Sequence, residues 1–352
     1  MNTQEVVQTY YGDTLKSSND LRTDACKTEA APPPHVTAAL AAVNDEVTSR
    51  YYGCGLAIPG ALEGLSVLDL GCGAGRDVFA LSKLVGPEGR VVGVDMTKEQ
   101  LDVARANEAW HAERFGYATP NTTFLEGELE RLDAVDLESG SFDLIISNCV
   151  INLCSDKPAV FDSAHRLLKP GGELYFSDVY ADRRIPQALV EDPVLYGECL
   201  SGALYWGDYQ SVAKTAGFLD PRVVSHRRLG ILDPELQAKV DPIRFASVTA
   251  RLFKLDGLEP ACEDYGQAVV YRGGIEGQES VFVLDAEHAI EVDRVFPVCG
   301  NTLAMLKETR FADAFDVVGG GERHFGLFPG CAAPDVFAEA IEAGPAPVGG
   351  CC

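Results

Sequence analysis

The chain has 352 residues, 46% of them hydrophobic. Its mean hydropathy is near zero, enough apolar material for a core of about 200 residues and one further domain. The formal charge of −24, from 53 acidic against 29 basic residues, argues against a nucleic-acid backbone or an anionic membrane surface as partner and favours a small neutral or cationic substrate. Met1 to Tyr10 shows neither a basic start nor an apolar core, and no apolar run reaches 18 residues, so a cytoplasmic chain is expected. Eleven cysteines are many for that compartment, and an odd number fits poorly with a complete disulfide framework.

Residues 1–62 read as an N-terminal arm or lid, polar and broken by Pro32-Pro33-Pro34. They carry Cys26 and then the small-residue stretch Tyr51-Tyr52-Gly53-Cys54-Gly55. From Ser66 the pattern becomes SVLDLG, a helix from Arg76, RVVGVD, a helix from Lys98, NTTFLEG, FDLIISN, a helix over Ala159 to Leu168, and GGELYFSDVY. Alternation of this kind predicts an α/β doubly wound, Rossmann-like parallel sheet over residues 63–225. The near-continuous apolar run FDLIIS is expected at its centre, covered on both faces. Past Gly217 the strands VVSHRRLGILD, AVVYRGG and SVFVLDAEHAIEVD predict a smaller α+β domain over residues 226–343. Residues 344–352, rich in Gly and Pro and ending in Cys351-Cys352, are expected to be disordered.

Between the first strand and first helix lies Asp69-Leu70-Gly71-Cys72-Gly73-Ala74-Gly75-Arg76-Asp77. A glycine loop there lets the backbone pass close to a ligand at a helix N-terminus. A dinucleotide site wants its third glycine where Arg76 stands. The spacing instead resembles the Asp/Glu-x-Gly-x-Gly-x-Gly loop of class I S-adenosylmethionine methyltransferases. Asp95, followed by Met96, ends the second strand 24 residues after Gly71, where a carboxylate can accept from both ribose hydroxyls. Leu129 and Glu130, in Gly127-Glu128-Leu129-Glu130 after the third strand, stand where such enzymes hold the adenine edge. Alone, a glycine loop is an ordinary tight turn; the three features in order predict the donor site.

Ligands of open α/β sheets sit beyond the carboxyl ends of the strands, so Asn148 and Cys149 after FDLIIS face the donor. Cys199 follows the next strand among small residues that allow close approach. Thiolates suit soft ions, and three of them around As(III) leave a lone pair on arsenic that can act as nucleophile without a general base. Each cysteine taken singly is more often a packing residue. Cys72, inside the glycine loop, reads as structural; Cys154, five residues past Cys149, is left out of the site; Cys262, Cys299 and Cys331 read as core or surface residues.

The segments TDAC, YYGCGL, LDLGCGAGRD, GVDMTKEQ, SNCVINL, LKPGGELYFSDVY and GECLSGALYW resemble, in order and over most of the chain, the arsenite S-adenosylmethionine methyltransferases. The resemblance implies that Cys149 and Cys199 hold arsenic throughout, that Cys54 supplies a third thiolate, and that Cys26 can pair with Cys54 as a disulfide during turnover. It implies arsenite and methylated trivalent arsenicals as substrates, methyl-, dimethyl- and sometimes trimethylarsenic as products, and glutathione or thioredoxin as reductant. A monomer is expected. Two other readings stay open: a thiol-rich metal or metalloid-binding protein, and a methyltransferase for a small organic acceptor. Zinc is disfavoured, because Cys-x₂-Cys pairs are missing and the six histidines are scattered singly.

Overall fold

The computed structural model describes residues 32–51 and 56–328. Cys26, Cys54, Cys331 and the expected tail at 344–352 lie outside the described residues.

In the leader, helix α1 (Pro34–Leu40) starts on a proline, whose fixed φ suits a first turn, and α2 (Asp45–Thr48) is capped by Asn44, whose Oδ1 accepts from Glu46 N at 2.9 Å. Five parallel strands follow with their helices: β1 (Ser66–Leu70), α3 (Arg76–Val85), β2 (Arg90–Asp95), α4 (Lys98–Phe115), β3 (Thr122–Glu126), β4 (Phe142–Asn148), α5 (Lys157–Leu167) and β5 (Leu168–Ala181). Next come α6 (Gln187–Val190), α7 (Pro193–Gly197), β6 (Leu204–Tyr205), α8 (Trp206–Thr215), β7 (Arg222–Arg228), α9 (Pro234–Val240) and β8 (Phe245–Phe253). The sheet has eight strands in the order β3-β2-β1-β4-β5-β8-β7, with β6 pairing the end of β5. As expected, β4 lies inside the sheet, and its residues from Leu144 to Asn148 are all buried.

Three expectations need correction. The sheet is mixed, since β8 runs antiparallel to both β5 and β7. The division at 225 and 226 falls inside β7, and the large sheet continues to Phe253, because β8 inserts between β5 and β7 rather than founding a new sheet. The described part of residues 1–62 is packed rather than a free arm: Val36, Ala39, Val43 and Val47 share one buried cluster with Val78, Phe79 and Leu81 of α3. A polar link ties it down as well, because Asn44 N donates to His111 Nε2 at 3.1 Å while the His111 ring stacks on Phe79.

Beyond Phe253, β9 (Glu263–Asp264), β10 (Gln267–Tyr271), β11 (Val281–Asp285), β12 (His288–Glu291), β13 (Val295–Pro297), α10 (Gly300–Lys307), β14 (Phe315–Gly319) and β15 (Gly326–Leu327) form a small α+β unit. Its sheets are β13-β10-β14, β11-β12 and β15-β9. Phe253 belongs to the core cluster of this unit, so the two parts share side chains. An ion cluster joins them too. Glu173 of β5 is fully buried, accepts from Arg251 Nε at 2.7 Å and pairs with Arg310, while Arg251 also donates to the carbonyl of Leu284 at 2.6 Å.

Candidate active site

One cavity of about 1270 Å³, counting its open mouth, lies at the carboxyl ends of β1, β2 and β4. Asp69, Gly71, Gly73, Asp95, Met96, Leu129, Glu130, Asn148 and Cys149, all expected from the sequence, line it. Gly71 has φ +78°, and a Cβ there would come within 2.6 Å of Val150, so only glycine lets the loop turn this close to the segment after β4. Asp95 braces the loop from the side: its Oδ2 accepts from Gly73 N at 2.8 Å and its Oδ1 from Thr97 N at 2.8 Å. Gly75 is the exception among the residues expected at the donor. It does not line the cavity; with φ +89° it turns the chain into α3, its Cα seated against Phe124.

The cavity is acidic, and burial makes that charge expensive. Burial first, then the neighbouring Asp77 and Asp95, raise the Asp69 carboxyl well above its ordinary value. Burial also raises Asp95, against the backbone N–H groups that it accepts from. A cationic ligand in this cavity would relieve both costs. Four lining residues outside the expected set, Arg76, Asp77, Tyr51 and Val47, join them. Arg76 pairs with Asp77 through Nε at 2.8 Å and lies over the Tyr51 ring; Asn148 Nδ2 donates to Tyr51 Oη at 2.5 Å. Tyr51 and Val47 come from the leader, whose polar composition gave no sign that it reaches the cavity.

Cys149 follows β4, donates its N–H to Ser177 O at 2.8 Å, and then turns with φ +57°. Cys199 also has φ +57°, and its Sγ lies 3.8 Å from the carbonyl oxygen of Cys149. Both are buried, Cys149 at the cavity and Cys199 packed with it in one cluster behind. Cys149 is disulfide-bonded and Cys199 is reduced, so in this state Cys149 offers no thiolate, and arsenic held by it throughout would require that bond to be reduced. Cys54, the expected third ligand, and Cys26, its expected disulfide partner, lie outside the described residues.

Two further thiols reach the cavity. Cys72 packs against the Cα of Gly93, and burial, then Asp95 and Asp69, hold its thiol well above the usual range. Cys154, left out of the expected site, lines the cavity, and burial, then Glu130, push its thiol well up. Cys299 is buried as the cap of α10, and Cys262 is disulfide-bonded. Among the described residues no group of three or more His, Cys, Asp or Glu side chains is placed to hold a metal ion, and no helix is long and apolar enough to cross a membrane.

The strand order, a glycine loop after β1 and a carboxylate ending β2 that braces it define a class I methyltransferase. Residues 61–217 match the family model of a methyltransferase domain, and residues 265–336 that of the arsenite methyltransferase C-terminal domain. An arsenite methyltransferase of Aquipseudomonas alcaligenes is 58% identical over 93% of this chain and 94% of its own. That of Homo sapiens is 43% identical over 99% and 96%. The crystal structure of an arsenic (III) S-adenosylmethionine methyltransferase from Chlamydomonas reinhardtii, 49% identical, matches with a TM-score of 0.82 and covers 85% of this chain and 100% of that one. The chain belongs to the arsenite methyltransferase family.

Proposed function

We propose that the protein methylates trivalent arsenic, with S-adenosylmethionine as donor and cysteine thiolates as the arsenic ligands. The observation that carries this reading is the meeting of Cys199 Sγ with the carbonyl of Cys149, 3.8 Å apart, where Cys149 lines the acidic cavity. S-adenosylmethionine supplies an electrophilic methyl group on a sulfonium. Asp69 and Asp95, both costly to ionise while buried, suit its positive charges, and the Gly71 turn admits its close approach. Cys149 and Cys199 hold arsenic from a rigid floor, with Cys54 as third thiolate for arsenite and Cys26 as its redox partner.

The arsenic lone pair forms the As–C bond while the C–S bonding pair leaves with the thioether sulfur, which takes arsenic from As(III) to As(V); two cysteine thiolates return it to As(III) by giving up one electron each as they join in a disulfide. No base is needed, because arsenic carries no proton to lose. Cys149 enters this chemistry only as a thiol. An external thiol, glutathione or thioredoxin, supplies two electrons and two protons to its disulfide and is itself oxidised. Methyl- and dimethylarsenic are the proposed products, and the protein acts as a cytoplasmic monomer.

The test is incubation of the protein with arsenite, S-adenosylmethionine and excess thiol, followed by speciation of arsenic. Methylarsenic that accumulates first and gives way to dimethylarsenic is expected. Donor binding with unchanged arsenite would refute the reading.

A further inference from the structure

The cysteines stand on two short segments, 149–153 after β4 and 196–202 running out of the end of α7, which share no hydrogen-bonded strand pairing. They are nevertheless locked together. Tyr196 Oη donates to the carbonyl of Leu153 at 2.9 Å, and Cys199 Sγ approaches the carbonyl of Cys149. The carbonyl oxygen of Asn152 lies so near Gly202 that a Cβ on that glycine would come within 2.2 Å of it.

Below the first segment stands Asp178 of β5, which is 1% exposed. Its Oδ2 accepts from Asn152 N at 3.0 Å and its Oδ1 from Val179 N at 2.9 Å, while the Asn152 amide donates to Val179 O. One buried carboxylate therefore anchors the Cys149 segment to the sheet, and one phenol ties it to the Cys199 segment. Two non-glycine residues in left-handed backbone persist only where the surroundings over-determine them.

We propose that Asp178 and Tyr196 are positioning residues that preset the separation of Cys149 and Cys199 for chelation of a monosubstituted trivalent arsenical. This rests on the thiolate reading above. An arsenic atom with one carbon substituent takes two sulfurs, so its affinity depends on how little the two thiols must move to meet it.

The experiment titrates phenylarsine oxide calorimetrically into the full, reduced chain and follows the equivalent that Cys199→Ser removes. Tyr196→Phe deletes one neutral hydrogen bond and keeps the ring, so that equivalent should bind about threefold to tenfold more weakly. Asp178→Asn should weaken it further, since the Asn152 N–H then faces either a weaker acceptor or a donor. In turnover, KM for methylarsenite should rise while KM for S-adenosylmethionine stays within about twofold, a split that general loss of folding would not give. Donor affinity serves as the folding control. Phenylarsine oxide bound as tightly by both variants as by the parent would overturn the proposal. A parent with no equivalent that Cys199→Ser removes would overturn the thiolate reading, and the positioning roles with it.

Discussion

Cys149 and Cys199 share a backbone conformation, φ +57° at each, and the thiol of the second rests 3.8 Å from the carbonyl of the first. The contact joins the side chain of one cysteine to the backbone of another 50 residues away in sequence. Left-handed backbone costs a non-glycine residue about 1 to 3 kcal/mol.

The cavity wall gives the first prediction. Gly71→Ala forces a Cβ to within 2.6 Å of Val150 at a positive φ, and Asp95→Ala removes the carboxylate that braces Gly73. Each should lower S-adenosylmethionine affinity about tenfold or more with arsenical binding retained, as calorimetry would read. Unchanged donor affinity in both would remove the cavity from the account.

Asp178 gives the second. Burial raises its pKa to about 7, against the backbone N–H groups of Val179 and Asn152 and the charge of Lys157; Cys154 and Tyr180 are its other titratable neighbours. A carboxyl raised in the folded state stabilises below its unfolded pKa, and that contribution is lost as pH rises through the folded value. Parent stability minus that of Asp178→Asn should therefore fall by roughly 2 to 3 kcal/mol from pH 5 to pH 8 and flatten above. Denaturant unfolding at each pH measures it; a pH-independent difference would mean that the carboxyl titrates normally.

A third concerns the joint between the two parts. Glu173→Ala leaves the Arg251 and Arg310 guanidiniums without their shared carboxylate in a buried site. A loss of about 3 to 5 kcal/mol in unfolding free energy is expected. Stability within about 1 kcal/mol of the parent would show that water or other groups take its place.

Much of this was legible in the sequence because it is locally encoded. SVLDLG, RVVGVD and FDLIISN carry apolar strand patterns, and the loop from Asp69 to Gly75 carries its own turn chemistry, so β1, β2, β4 and much of the cavity lining could be placed. The insertion of β8 could not, because pairing of Phe245–Phe253 with β5 across the chain leaves no local mark. Tyr51 was hidden for a related reason: its role depends on Val36 to Val47 docking on α3, which a polar leader does not announce. Gly75 shares the motif, and its contact with Phe124 is tertiary and so has no local mark. The contact between Cys199 and Cys149 is tertiary: their places after successive strands suggested one site, but not which atoms meet.

The disulfide at Cys149 gives a fourth prediction. Without added thiol, protein that carries this disulfide should form no methylated arsenic, and addition of a dithiol should start turnover. Steady turnover without any reductant would exclude this disulfide from the cycle.

The most direct measurement is the rate of methylarsenite methylation by Cys149→Ser and Cys199→Ser at fixed thiol concentration, with donor binding checked in each. A hydroxyl is too hard and too weakly acidic to replace a thiolate toward arsenic. The account predicts that both variants bind S-adenosylmethionine and form no dimethylarsenic above background. Either variant running near the parent rate would contradict it.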